Sequence, residues 1–124
     1  MQRIFYLSTC DTCRDILRRW QPDASIPRQD IKTDPLSPEQ ADELARLAGS
    51  YEALFSRRAQ LYKQLGLAKQ TLGEADFRRY LLEHYTFLRR PVLVLGSQIF
   101  IGSEAESVEA AHQALKTLGL AQEP

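Results

Sequence analysis

The sequence predicts one α/β domain, in which a helical insertion at about residues 37–86 separates an N-terminal βαβ unit from a C-terminal ββα unit. Three observations predict this order. The chain begins with an apolar, aromatic-rich run at residues 2–7 and continues with helical periodicity. Its middle shows helical patterns with no strand pattern between them. Two short apolar runs and a last helical pattern follow Pro91, and a length of 124 residues fits a single domain.

The N-terminal unit is predicted to contain a strand, a helix and a short extended segment. Apolar side chains of the first helix recur at helical spacing up to Trp20, so we expect that face to lie in the core. Thr12 is a candidate for the helix cap, and Pro22 is expected to end the helix. Within residues 25–31, Pro27 lacks a backbone donor, which favours an edge position for this strand.

The helical insertion has a clear start signal. Ser37 is predicted as the N-cap, Pro38 as the first helical residue, and Gln40 as the partner that completes a capping box. Short helical runs follow, and the last predicted helix of the insertion covers residues 74–84.

The C-terminal unit is predicted to be a hairpin followed by a helix. Apolar runs at residues 92–95 and 98–101 flank Gly96-Ser97, which is typical of a two-residue hairpin turn. Ser103 is expected to cap the final helix.

Composition argues against several classes of function. Sixteen basic and sixteen acidic residues give a net charge of zero, which argues against a dedicated binder of nucleic acid or of an anionic membrane. The chain enters a strand directly, without a signal-peptide pattern or an apolar run of membrane-spanning length. One close cysteine pair also fits a reducing compartment. We therefore expect a cytoplasmic protein. We also expect a monomer, because the hydrophobic pattern of the sequence shows no exposed apolar stripe that a second copy could cover.

The two cysteines stand where the first strand gives way to the first helix, in the run Cys10-Asp11-Thr12-Cys13-Arg14. At this spacing the second thiol can attack a covalent adduct on the first, which is the pattern of a thiol–disulfide redox pair. Unpaired N–H groups at the helix start would stabilise a thiolate on Cys10. The alternatives are half of a zinc site or two unrelated buried thiols. A zinc site needs a further pair of ligands, and His84 and His112 stand alone, so no metal site is predicted.

Three stretches of the chain lie in the order and spacing of one known family. They are the strand with Cys-x-x-Cys-Arg, the run Leu-Tyr-Lys-Gln-Leu-Gly-Leu at residues 61–67, and the run Leu-Arg-Arg-Pro-Val-Leu-Val at residues 88–94. Together they resemble the arsenate reductase family of the glutaredoxin-linked type, which also contains the Spx regulators of bacterial stress responses. The resemblance covers nearly the whole chain and implies a thioredoxin-like fold with a helical insertion.

The resemblance also implies roles for individual residues. Cys10 stands at the position of the thiolate that attacks arsenate in the reductases, and Arg14 matches the arginine that closes the anion loop. Arg90 matches an arginine that faces the bound oxyanion. The alternatives are that Arg14 pairs with Asp11 or Asp15 on the surface and that Arg90 is a solvated charge at a helix end. Pro91 falls where thioredoxin folds place a cis-proline beside the active cysteine, so we expect a cis bond there. No bound cofactor is implied; the reductant would be glutathione with glutaredoxin, or thioredoxin.

The chain departs from the reductase pattern at three positions. Ser56 and Gly102 stand at or near positions where the reductases carry further arginines. Arg58 matches an arginine typical of the Spx-like branch and is a further candidate anion ligand. Cys13 supplies an internal resolving thiol, which many arsenate reductases of this type lack.

Three functions from different classes remain open at this point. The first is a thiol-dependent oxidoreductase that reduces an oxyanion such as arsenate, or a disulfide, with glutaredoxin or thioredoxin as its protein partner. The second is an Spx-like redox regulator, whose disulfide controls binding to the α subunit of RNA polymerase. The third is a redox-inert or glutathione-binding relative, for which the missing arginines are the main support.

Overall fold

The computed structural model describes residues 1–122, and these residues form two compact units. The first unit joins Met1–Thr33 to the chain from Arg90 onward, and the second is Asp34–Arg89. The predicted α/β class is confirmed, because the strands of the described chain lie in the first unit and the second is helical. That the two units act as one domain stays a prediction.

The first unit is built on a four-stranded sheet of order β2-β1-β3-β4. The strands are β1 (Gln2–Tyr6), β2 (Arg28–Asp30), β3 (Val92–Leu95) and β4 (Gln98–Ile101). β1 pairs parallel with β2 and antiparallel with β3, and β3 pairs antiparallel with β4. Every residue of β3 is buried, as its apolar sequence and central position require. Pro27 precedes β2 at the edge of the sheet, where a missing ladder donor is tolerated.

Two helices share one core with this sheet. They are α1 (Asp11–Trp20) and α5 (Ala105–Thr117). The Trp20 side chain is 1% exposed, and its indole N–H donates to the Val108 carbonyl oxygen over 3.0 Å. This bond satisfies the one polar group of a large buried side chain and fixes α1 against α5.

The second unit contains α2 (Pro38–Ala48), α3 (Gln60–Gln64) and α4 (Glu74–Glu83). Between them lie short 3-10 turns at Glu52–Leu54, Leu67–Lys69 and Tyr85–Phe87. The first falls within the short helical turn that the sequence predicts at residues 51–55, and the other two are not resolved by its periodicity.

An aromatic cluster forms the core of the second unit. The ring centroid of Phe55 lies 4.9 Å from that of Phe77 and 5.1 Å from that of Phe87. The Phe55 ring stacks on Phe87 and is tilted against Phe77, and these are favourable arrangements for aromatic pairs. The backbone joins the same region, since the Ser56 N–H donates to the Phe87 carbonyl oxygen over 2.7 Å.

Two expected helix caps are wrong. The N-cap of α1 is Cys10, so Thr12 lies inside the helix. The N-cap of α5 is Glu104, and its side chain makes no cap hydrogen bond, so Ser103 lies outside the helix. Both helices begin where packing places them, and cap preference alone locates a boundary only to within a residue or two.

The predicted capping box of α2 is present. Ser37 Oγ accepts from the Gln40 N–H over 3.1 Å, and Gln40 Oε1 accepts from the Ser37 N–H over 3.1 Å. Two N–H groups that would otherwise lack an intrahelical partner are thereby satisfied.

We predict that Ser37→Ala lowers the free energy of unfolding by about 1 kcal/mol, because an N-cap hydroxyl is lost. The measurement is urea unfolding followed by circular dichroism. Ser103→Ala is the matched control and should change the free energy of unfolding by less than about 0.5 kcal/mol. Equal losses in the two variants would contradict the assignment of the cap.

Candidate functional site

The N-terminus of α1 places Cys10 where a thiolate is favoured. Cys10 is the N-cap residue, with extended backbone angles, and its sulfur is partly exposed. Its N–H donates to the Leu7 carbonyl oxygen over 3.0 Å, which closes a tight turn after β1. The free N–H groups of the first helical turn therefore lie around the Cys10 side chain.

The turn that carries Cys10 is fastened to the neighbouring strand. Ser8 Oγ donates to Asp30 Oδ2 over 2.5 Å, and the Ser8 N–H donates to Asp30 Oδ1 over 3.4 Å. The side-chain hydrogen bond from Ser8 is the largest of the causes that hold the pKa of Asp30 below its ordinary value. An ionised Asp30 at the end of β2 thus fixes the segment that leads into the site.

The pKa of the Cys10 thiol lies below its ordinary value. Burial raises this pKa, but four other contributions outweigh it. The Cys13 N–H and thiol interact with the Cys10 sulfur, and Arg90 adds its charge and a side-chain hydrogen bond.

The pKa of Cys13 is shifted in the opposite direction, to about 11. Its side chain is fully buried, and burial is the largest cause; a hydrogen bond from the Leu7 backbone partly offsets it. The charge of Cys10 and its hydrogen bond raise the pKa of Cys13 further. The site therefore holds one thiol whose ionisation is favoured and one whose ionisation is opposed by burial.

Arg14 is turned toward its own helix. Its guanidinium pairs with the Asp11 carboxylate and donates from Nη1 to the Ser8 carbonyl oxygen over 3.4 Å. The side chains of Arg14 and Asp11 are 51% and 86% exposed. Of the two arginines expected to face an anion, Arg90 contributes to the low pKa of Cys10, whereas Arg14 is engaged by a carboxylate.

Arg90 and Pro91 lie directly before β3. The peptide bond between them is cis, which is the isomer that the sequence analysis expects. The Pro91 carbonyl oxygen accepts from the Gly102 N–H over 2.9 Å, so this segment is tied to the turn between β4 and α5. Gly102 has a φ of 89°, in the region that favours glycine, so an arginine there would strain this turn.

Ser56 and Arg58 lie in the second unit. Ser56 Oγ accepts from the Arg58 N–H over 3.3 Å, which makes the serine part of a local turn. The neighbouring Arg57 pairs with Glu52 over 2.7 Å and lies over the ring of Phe77, so it packs within its own unit. The Arg58 side chain is exposed.

One residue of the site escapes the sequence analysis, and a second enters it only as an alternative. Pairing of Arg14 with Asp11 or Asp15 is left open by the sequence, and the structure shows the pair with Asp11. Asp30 is far from the cysteines in sequence, and its role depends on the parallel register of β1 and β2, which aligns Tyr6 with Asp30. The sequence around Asp30 therefore does not predict its hydrogen bonds to Ser8.

Within residues 1–122, no group of three or more His, Cys, Asp or Glu side chains could hold a metal ion. Among the same residues, no helix is long and apolar enough to cross a membrane.

Comparison with known proteins connects this geometry to one family. The sequence model of the ArsC family matches residues 5–111. The chain is 28% identical to an arsenate reductase of Yersinia enterocolitica, over 82% of this chain and 74% of that protein. It is 22% identical to the global transcriptional regulator Spx of Bacillus subtilis, over 87% of this chain and 84% of the regulator. The solved structure of an arsenate reductase from Vibrio cholerae superposes with a TM-score of 0.68 at 24% identity, covering 88% of this chain and 95% of the other.

We predict that Arg90→Gln raises the pKa of Cys10, because the variant loses the guanidinium charge that favours the thiolate. The pKa of Cys10 is lowered in the unmodified protein, so its reactive thiolate forms at a lower pH than the thiolate of an ordinary cysteine. The midpoint of the pH dependence of iodoacetamide alkylation at Cys10 should therefore move upward in the variant.

Arg18→Gln is the control for that measurement. Arg18 is an exposed arginine of α1 that pairs with Asp15 over 3.3 Å. Its removal should leave the midpoint where it is. If the midpoint did not move in Arg90→Gln either, Arg90 would not be the cation that stabilises the Cys10 thiolate.

Proposed function

This chain belongs to the ArsC family, and from that premise we propose that it is a thiol-dependent oxidoreductase with Cys10 as nucleophile and Cys13 as resolving thiol. The substrate would be a disulfide or an oxyanion such as arsenate. The observation that carries the proposal is the opposite shift of the two pKa values, downward for Cys10 and upward to about 11 for Cys13. A nucleophile must be ionised and accessible, whereas a resolving thiol must wait until an adduct has formed.

The first step with a disulfide substrate is attack by the Cys10 thiolate on one substrate sulfur. A bond forms from Cys10 Sγ to that sulfur, the substrate S–S bond breaks, and the departing thiolate takes a proton from water. Cys13 then loses its proton to solvent and attacks Cys10 Sγ, which releases the second substrate thiol. Two electrons have passed to the substrate, and the protein holds a Cys10–Cys13 disulfide.

The same two steps balance for arsenate. The Cys10 thiolate attacks As(V) and displaces one oxygen as water. When Cys13 attacks Cys10 Sγ, the electrons of the sulfur–arsenic bond remain on arsenic, which leaves as As(III). In both cases a dithiol protein such as glutaredoxin or thioredoxin would reduce the Cys10–Cys13 disulfide and complete the cycle.

The order of the two thiols follows from their mutual influence. Two of the causes that raise the pKa of Cys13 come from Cys10, namely its charge and its hydrogen bond. Both disappear once Cys10 Sγ is covalently bound, because the adduct carries no thiolate. The pKa of Cys13 then falls toward the value that its burial sets, so formation of the adduct favours the resolving step.

The remaining candidate residues support the same site. Arg90 would stabilise the Cys10 thiolate and also the thiolate that leaves the substrate disulfide. Pro91 would shape the backbone next to Arg90. Arg14 and Arg58 remain proposed anion ligands, of which Arg14 would first have to leave Asp11. We further propose a single, monomeric, cytoplasmic domain.

An Spx-like redox regulator is the second candidate. Its support is the similarity to the Bacillus subtilis regulator over 87% of this chain, together with a Cys-x-x-Cys pair that can close to a disulfide. In that case the disulfide would control binding to the α subunit of RNA polymerase, and no small substrate would be turned over.

We predict that the protein oxidises NADPH in the presence of a coupled reductant system and either arsenate or a small disulfide. Glutathione with glutaredoxin, and thioredoxin with its reductase, are tested separately. Cys10→Ser should abolish turnover with every substrate, because the nucleophile is lost. Cys13→Ser should abolish turnover with thioredoxin, since no internal disulfide can form, and retain it with glutathione and glutaredoxin.

Two results would contradict the enzymatic proposal. One is turnover that survives Cys10→Ser; the other is the absence of turnover with all substrates although Cys10 is alkylated at low pH. In the second case, binding of the reduced and oxidised protein to the polymerase α subunit is measured. A difference between the two forms would support the regulator, and equal or absent binding would contradict it as well.

A further inference from the structure

We propose that Asp11 determines the substrate class of the Cys10 site: by pairing with Arg14 it directs the thiolate toward uncharged or cationic disulfides and away from anions. The inference rests on the proposed function and restricts its range of substrates. It starts from the ion pair between Asp11 and Arg14, at the first turn of α1 beside the nucleophile.

The position of Asp11 gives its charge a direct effect on the site. Asp11 is the first residue of α1 and follows Cys10 in the chain, so its carboxylate lies at the helix end around which an incoming anion would have to bind. The side chain is 86% exposed, and its charge therefore acts on the approach of a substrate from solvent. Within the pair the carboxylate offsets the charge of Arg14, so an anionic substrate meets less positive charge at this helix end than it would without Asp11.

The second effect of Asp11 is to occupy Arg14. The guanidinium is held by the Asp11 carboxylate on one side and by the Ser8 carbonyl oxygen on the other. An anion that used Arg14 would first have to displace a carboxylate that is already attached to the chain. Arg90 is then the arginine whose charge and hydrogen bond lower the pKa of Cys10.

The groove beside Arg14 does not itself select against anions. It has a volume of about 580 Å³ and extends from Arg14 along α1, and its walls include Arg18, Arg28 and Leu17 but neither cysteine. Arginine side chains attract an anion, so we assign the discrimination to the Asp11 carboxylate at the start of the helix and not to this groove.

The test compares two alkylating agents that share one electrophilic carbon and differ in charge, iodoacetate and iodoacetamide. Second-order rate constants are measured at one pH, with the adduct at Cys10 located by peptide mass. Because both agents consume the same thiolate, the ratio of the two rate constants does not depend on the pKa of Cys10. Asp11→Asn should raise the ratio of iodoacetate to iodoacetamide by about two- to fivefold at low salt, and less at high salt.

Asp15→Asn is the matched control. Asp15 is an exposed aspartate of the same helix, and it forms an i,i+3 ion pair with Arg18 just as Asp11 does with Arg14. Both variants add one unit to the net charge, so a general effect of charge would appear in both. The proposal requires a clearly larger change in Asp11→Asn and is overturned if the two variants give the same ratio.

A double-mutant cycle with Arg14→Gln separates the two effects of Asp11. If Asp11 occupies Arg14, Arg14→Gln lowers the ratio by about twofold or more beyond its effect in the unmodified protein when it is made in the Asp11→Asn background, because only there is Arg14 available to the anion. Equal effects in both backgrounds would overturn the part of the proposal that concerns Arg14.

The same variants are then compared on disulfides of different charge. The probes are cystamine, which is cationic, hydroxyethyl disulfide, which is neutral, and dithiodiglycolate, which is anionic. Asp11→Asn should gain rate on dithiodiglycolate relative to cystamine, by the same factor as in alkylation or more.

If Cys10 reacts with none of the reagents, the proposed function fails and this inference with it. If Cys10 reacts but Asp11→Asn behaves as Asp15→Asn does, only the role of Asp11 fails.

Discussion

The start of α1 at Cys10 is the constraint on which the rest of the site depends. One helical turn separates Cys10 from Cys13, so the first sulfur lies at the exposed helix end while the second points into the core. The Cys13 N–H and thiol and the Arg90 guanidinium favour a thiolate on Cys10 despite its partial burial, and burial opposes one on Cys13. Two chemically identical side chains therefore acquire different roles from a single helix boundary.

The rest of the first unit holds that boundary in place. The Ser8–Asp30 interaction fastens the turn before α1 to the edge strand β2. On the other side, Trp20 anchors the far end of α1 against α5 through its indole N–H. The helix that carries both cysteines is thus fixed at each end by a polar contact, one partly buried and one fully buried. These contacts position the helix, and with it both sulfurs, relative to the sheet.

Much of this architecture could be predicted from the sequence, because its signals are local. The hairpin strands β3 and β4 have the predicted bounds, since a two-residue turn between apolar runs allows few alternatives. The capping box of Ser37 is likewise complete within four residues. The caps of α1 and α5 were predicted wrongly, because packing of the helix on the sheet decided their starts. The partner of Arg14 stayed open, because several acidic residues lie within reach of it along the sequence. The role of Asp30 depends on strand register, which no local pattern specifies.

The left-handed turn at Gly102 bears on how this chain could change its chemistry over evolutionary time. A glycine codon can become an arginine codon by one base change, so a gain of arginine at this position is a short mutational step. The step is nevertheless obstructed, because the backbone at φ 89° disfavours any side chain and its N–H holds the Pro91 carbonyl oxygen beside the site. Gaining an arginine here would first require the turn between β4 and α5 to be rebuilt. A lineage with this turn can vary Asp11, an exposed residue on a regular helix, far more freely, so changes of specificity are expected to arise there first.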